Sequence, residues 1–116
     1  MDKFDIAANP NTSKETLVKL AEDEICDVRW RIAGNYNTPK EILAKLAEDE
    51  DRGIRCGVAG NPNTPKETLA KLAEDKNWYV RHRIAENPNT PENILFVLAM
   101  DSDSKVVEAI RNRKNV

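Results

Sequence analysis

Residues 61–75 read NPNTPKETLAKLAED, and nearly the same words return at 9–23 (NPNTSKETLVKLAED), 35–49 (NYNTPKEILAKLAED) and 87–101 (NPNTPENILFVLAMD). The leading asparagines Asn9, Asn35, Asn61 and Asn87 are spaced by 26 residues each time. Self-similarity at a fixed short period is the mark of stacked repeats, each burying its apolar side only against its neighbours. Within the stretch, Thr64 reads as a helix N-cap, Pro65 as the first helical residue and Glu67 as the side chain that reaches back to the cap. Thr12 with Glu15 and Thr38 with Glu41 repeat this capping box; Thr90 is followed by Asn93 and keeps only the cap. Leu69, Leu72 and Ala73 then share one helical face, opposite Glu67, Lys71 and Glu74. That apolar stripe is too narrow to stand alone, so the helices are expected to stack.

The 116 residues are 33% charged, 40% hydrophobic and only 5% aromatic, which suits one domain with an aliphatic and alanine core. The net charge of −2 selects no partner class. No apolar run approaches the ~18 residues that cross a bilayer. Met1 to Asp5 lacks the basic-then-apolar pattern of a signal peptide. The expectation is therefore a cytoplasmic protein without a membrane partner. Cys26 and Cys56 stand apart from each other and from any metal-site spacing, and read as reduced thiols.

In chain order, Phe4, Ile6 and Ala7 align with Trp30, Ile32 and Ala33 one period later, so the N-terminus reads as a half-repeat. A long helix is expected from Ser13 to Asp23. A shorter one follows from Ile25 to Gly34, carrying Val28, Ile32 and Ala33, which recur as Ile54, Val58, Ala59 and as Val80, Ile84, Ala85. The alternation is expected to close with a short helix over about Lys105 to Arg113. The whole chain, 1–116, reads as one helical-repeat domain with repeats starting near 9, 35, 61 and 87 and partial caps at both ends.

The consensus D-x-x-V-R-x-x-I-A-x-N-P-N-T-P-x-x-x-L-x-x-L-A-x-D resembles the leucine-rich repeat variant family and, more loosely, HEAT-type helical repeats. The resemblance covers almost the whole chain and is specific for architecture, but such repeats serve many functions. It implies an all-α, right-handed solenoid of about four two-helix repeats, alternating α and 3₁₀ helices, with no strands. The apolar spacing modifies that picture: an α-helix aligns Val28 with Ile32, whereas a 3₁₀ helix would align Val28 with Arg31, so at least one α-turn is expected in each short helix. The family's nitrogen-fixation member carries a cysteine-ligated iron–sulfur cluster ahead of its repeats. No such cysteine cluster occurs here, and no cofactor or metal is expected.

Catalysis has little to stand on, because His82 is the only histidine, no nucleophile motif is present, and the carboxylates recur in the same slots of every copy. The two asparagine columns, led by Asn9 and Asn11, are expected to satisfy local backbone groups. Arg29, Arg55 and Arg81 lie beside the apolar face and are expected to snorkel along the core and pair with the Asp that closes the preceding long helix: Asp23, Asp49 and Asp75. Arg31, Arg83, Arg111 and Arg113, with Arg52, Lys105 and Lys114, make the short-helix layer basic. That layer could track a nucleic-acid backbone, against the plainer reading of a solvated, mixed-charge surface.

The outward column of the short helices varies most, reading Trp30, Cys56, His82 and Glu108, and Trp78 and Tyr79 open the third short helix. Variation on a constant frame is how solenoids build a binding surface, and Trp, Tyr and Arg dominate binding hot spots. Trp30, Arg31, Cys56, Trp78, Tyr79, His82 and Arg83 are thus the candidate contacts for a protein or peptide partner, although a Trp lying over a neighbouring repeat can also be packing. The fourth long helix departs from the pattern. Phe96 stands where Val18, Ala44 and Ala70 are expected to sit close to a following repeat. Val97 and Met100 replace the outward Lys71 and Glu74 of the preceding copy. Phe96, Val97 and Met100 therefore form a candidate patch for weak self-association or partner docking.

Overall fold

A computed structural model describes residues 1–113, and among these all regular structure is helical. The elements are α1 (Lys3–Ala8), α2 (Lys14–Leu20), α3 (Cys26–Gly34), α4 (Lys40–Leu46), α5 (Arg52–Gly60), α6 (Lys66–Leu72), α7 (Trp78–Glu86), α8 (Glu92–Leu98) and α9 (Ser104–Arg111). Each odd helix packs on the next odd one, and each even helix packs on its chain neighbours. The result is two rows of helices spanning 43 × 25 × 20 Å. Spread over four and a half repeats, that length is about 10 Å per repeat, the ordinary separation of packed helices.

The expected helix lengths are reversed. The helices read as short are complete nine-residue α-helices, whereas the leucine-bearing ones are seven residues long. After Leu72 the chain tightens into i→i−3 bonds, Glu74 N to Lys71 O and Asp75 N to Leu72 O. It is then turned by Asp75, whose Oδ1 accepts the Asn77 amide at 2.9 Å. Asp23, Asp49 and Asp101 stop their helices in the same way. Among the described residues no helix is 3₁₀, so the α-spacing of Val28 with Ile32 overrides the alternation implied by the family resemblance.

The capping boxes are not formed. Pro65 takes an extended ψ of 156°, so it is the N-cap and the helix starts one residue later than expected. The Thr64 hydroxyl points the other way and donates to Val58 O at 2.6 Å, and Thr12, Thr38 and Thr90 likewise donate to Ile6, Ile32 and Ile84 O. These threonines give a second donor to carbonyls at the ends of odd helices, whose other partner is the amide of the capping asparagine. Side-chain caps occur instead at Ser13, where the hydroxyl accepts Thr16 N, and at Asp2, Asp51, Asn77 and Asp103.

Three ladders tie the repeats together. In the first, Asn61 Oδ1 accepts Asn63 N, the expected local role. Its Nδ2 also donates across the junction to Ala33 O at 2.8 Å and Asn35 O at 3.1 Å. Asn35 and Asn87 repeat this, and one period beyond Asn87 stands Arg113, whose guanidinium donates to Ala85 O and Asn87 O in the same role. The second asparagine column reaches back too, from Asn37 to Thr12 O, Asn63 to Tyr36 O and Asn89 to Pro62 O. In the third ladder each Arg bridges two repeats. Arg55 donates to the backbone Asp49 O at 2.8 Å, and its Nε pairs with the carboxylate of Asp75 at 2.7 Å.

The carboxylate partner is thus the Asp of the following repeat, and the preceding one contributes only its carbonyl. Each Asp folds one oxygen onto the amide two residues on and turns the other back across the junction. Arg29 pairs with Asp49 and Arg81 with Asp101, while Lys3, one period before Arg29, takes Asp23. The Asp49 bond holds the Arg29 pKa above its ordinary value. Burial raises the Asp101 pKa, but the Arg81 side chain and the Asp103 amide outweigh it and the net shift is downward. One period after Arg81 the column holds Val107 in place of an arginine.

Between the rows lies an aliphatic core in which Leu17, Ile32, Leu43, Ile54, Leu69, Leu72, Ile84 and Leu98 are fully buried. Val106 and Ala109 extend it at the C-terminal end, with Val107 and Ile110 half-buried. The expected packing of Val18, Ala44 and Ala70 on a following repeat is not seen: all three are exposed, because the even helices do not stack closely on one another.

Candidate functional site

The odd helices present one outer face, and its columns can be followed from α3 through α5 and α7 to α9. The first-turn pair reads Cys26 and Asp27, Arg52 and Gly53, Trp78 and Tyr79, Ser104 and Lys105. One turn later come Trp30 and Arg31, Cys56 and Gly57, His82 and Arg83, Glu108 and Ala109. The aromatic residues therefore fall on α3 and α7. The helix between them carries Gly53, Gly57 and Gly60 on the same side.

On α7, Trp78, Tyr79 and His82 form one cluster. The Trp78 ring meets Tyr79 edge-on at 5.4 Å and His82 at 5.9 Å, while Tyr79 and His82 stack at 5.7 Å. The Lys105 ammonium of α9 lies 5.3 Å from the Trp78 ring centre. His82 Nε2 is 3.3 Å from Glu86, and its Nδ1 lies 3.3 Å from the Lys105 carbonyl. On α3, Trp30 is about half exposed, and Arg31 pairs with Asp27 while reaching over Phe4. Trp78 packs within its cluster and stays 37% exposed.

Cys56 is a correction. It was expected to face outward, but only 7% of it is exposed, and burial pushes its thiol pKa up. It lies between Gly53 and Gly57 at the bottom of a cleft whose walls carry Trp30, Trp78, Tyr79 and Arg83. It belongs to the floor of the site and is not a contact that reaches out.

Two adjoining clefts run over α5. One, of about 640 Å³, is lined by Trp30, Arg52, Cys56, Trp78, Tyr79 and Arg83 among others. The other, of about 450 Å³, continues past Trp30 and Arg83 to Arg31, Gly34 and Tyr36. The glycines shape both. A Cβ on Gly57 would stand 3.0 Å from Ala33 Cβ, so glycine there sets how closely α3 and α5 approach. The Arg83 guanidinium lies where a Gly60 Cβ would be, 1.9 Å from that point. Among the described residues no carboxylate lies within ion-pair distance of Arg52 or Arg83.

The structure thus brings Trp30, Arg31, Trp78, Tyr79 and Arg83 around one groove, with His82 at its edge. Phe96 and Val97, on α8, and Met100, in the turn that follows it, lie elsewhere, exposed in the even row. Missed from sequence were the glycine floor and the exposed Tyr36. A signal was present in each case: the chain has only four glycines, all on α3 and α5, and Tyr36 breaks a column that otherwise reads Pro10, Pro62, Pro88. Of the basic layer, Arg31 is paired, Arg113 is spent on the asparagine ladder, and Lys114 lies outside the described residues. Among the described residues no three His, Cys, Asp or Glu side chains converge as a metal site, and no helix is long and apolar enough to cross a membrane.

A two-row stack of near-identical helix pairs, tied by side-chain ladders and varied on one outer face, defines a helical-repeat protein. The profile of the Leucine Rich Repeat Variant domain matches residues 56–114, half of the chain, and the protein belongs to that family. No curated protein and no solved structure matches it. A repeat domain of this family suggests an interaction scaffold in general terms, without naming a partner.

Proposed function

We propose that the protein is a non-enzymatic scaffold that binds a protein or peptide through the outer face of its odd helices. The observation that carries this reading is the exposed aromatic and arginine rim of the α5 groove, built from residues that differ between repeats on a frame that does not. Large rigid aromatics and unpaired guanidinium groups are the side chains from which binding hot spots are made. A catalytic role has less support: His82 has Glu86 beside it, but no nucleophile faces the pair.

Affinity capture from the native host, with mass spectrometry, tests the reading. A Trp78→Ala, His82→Ala double variant is expected to lose the captured partner while keeping its melting temperature; loss of stability instead would make Trp78 a packing residue. The unpaired Arg52 and Arg83 also favour nucleic acid as a second reading. Phosphate binding would weaken steeply with salt, whereas an aromatic-anchored protein contact changes little.

A further inference from the structure

We infer that the groove over α5 receives an acidic amphipathic helix lying along α5, between Trp30 on one side and Trp78 and Tyr79 on the other. This rests on the peptide-scaffold reading above and names the partner's chemistry. The first argument is shape. The floor is a nine-residue helix, about 13 Å long, bare of side chains at Gly53 and Gly57, and the two adjoining clefts over it, of about 640 and 450 Å³, can take the side chains from one face of an added helix. Gly53 and Gly57, one turn apart, keep the floor low, and small residues at that spacing let helix backbones approach closely.

The second argument concerns backbone bonding. The groove offers no strand edge, since every described element is helical. An extended peptide would lay its N–H and C=O groups over a surface whose own backbone groups are already paired. A helix brings its main-chain bonds with it and needs only side-chain contacts.

The third is charge. Arg52 at the start of α5 and Arg83 across Gly60 face the groove without a carboxylate partner, and the nearby Asp51 carboxylate is engaged by the Gly53 amide at 2.7 Å. Glu or Asp on the flanks of an incoming helix would pair with these guanidinium groups, in the bidentate geometry that Arg favours. Its apolar face would meet Trp30, Trp78 and Tyr79.

The test is selection of peptides of about 16 residues, ~24 Å as a helix, from a random display library on the wild-type protein. Winners are then synthesised and titrated by fluorescence anisotropy against wild type, Gly34→Trp and Arg83→Glu, with an oligo-dT strand titrated in parallel. A Cβ on Gly34 meets nothing within 4 Å, so tryptophan there fills the groove while leaving the fold intact, which circular dichroism melting verifies. The inference expects winners with apolar residues at i, i+3, i+4 and i+7 flanked by Glu or Asp. Each variant should weaken them by roughly tenfold or more, and proline in mid-peptide should abolish binding. Winners that bind both variants as well as wild type, or that lack the acidic helical pattern, overturn the inference and leave the peptide-scaffold reading standing. A selection without winners overturns both. Tighter binding of oligo-dT than of any peptide assigns the groove to phosphate and overturns the inference as well.

Discussion

Replacing Asn61 by Ala should break the array at its middle junction. Asn61 is 1% exposed, and its side chain makes three bonds: Nδ2 to Ala33 O and to Asn35 O, and Oδ1 from Asn63 N. Asn35 O keeps a second partner in Thr38 N, so its loss is modest. Ala33 O is left with no partner, and a buried acceptor so orphaned costs about 1–3 kcal/mol, with about 1 kcal/mol for each of the other two bonds. The expected cost is about 3–5 kcal/mol, a large share of the ~5–15 kcal/mol that holds a domain of this size. Asn9 is the internal control. It stands at the same point of the first repeat, half-buried, with a bond from the Asn11 amide at 2.9 Å and, among the described residues, no side-chain bond to an earlier carbonyl. Asn9→Ala should cost under about 1 kcal/mol. Urea unfolding followed by circular dichroism compares the two, and a lower m-value for Asn61→Ala would show the array dividing at the severed junction. Asn61→Asp should be worse still, because it removes the donor and sets a buried carboxylate against two carbonyl oxygens. Costs for Asn61→Ala and Asn9→Ala within about 0.5 kcal/mol of each other would refute the ladder as a source of stability.

Two glycines should respond oppositely to alanine. Gly34→Ala, with open space at its Cβ, should stabilise by about 0.5–1 kcal/mol, whereas Gly57→Ala, 3.0 Å from Ala33, should gain nothing or lose stability; thermal melts decide this. Acid should loosen the stack through Asp23 and Asp101. Both carboxyls are held below the ordinary value of 3.8, so the stability they contribute is complete at neutral pH and is lost as pH falls below about 4 through their folded values. Asp101→Asn should therefore flatten the fall in unfolding free energy between pH 4 and pH 2, and parallel curves for variant and wild type would contradict it. For α8, we propose weak self-association through Phe96, Val97 and Met100, which are 74%, 61% and 74% exposed. Sedimentation at high concentration should show wild type associating and a Val97→Lys, Met100→Glu variant monomeric; a monomeric wild type would remove the proposal.

The period and the buried columns were legible because they are repeated: Val28, Ile32 and Ala33 return in α5 and α7, and Leu43 and Leu46 of α4 return as Leu69 and Leu72, and each of these lies in the core. What was misread depends on choices that a single repeat leaves open. A threonine before Pro can cap forward or donate backward, and the extended Pro65 ψ decides it. An arginine between two aspartates can reach either, and the turn that occupies one oxygen of each Asp sends it onward to the next repeat. Cys56 looked outward on the helical wheel, yet it lies at the bottom of a cleft whose walls stand on the two neighbouring odd helices. The groove was hidden for the same reason, since it is made by side chains that are missing from α5 and is visible only when three helices are set side by side.

Chemical-shift mapping of the ¹⁵N-labelled protein with its captured partner tests the binding face most directly. The amides of Trp30, Gly57, Trp78, Tyr79, His82 and Arg83, with the Trp30 and Trp78 indole N–H signals, should shift together and saturate at one stoichiometry, while α2, α4 and α6 stay still. Shifts centred on the even row or on Phe96, Val97 and Met100, with Trp30 and Trp78 unmoved, would contradict it.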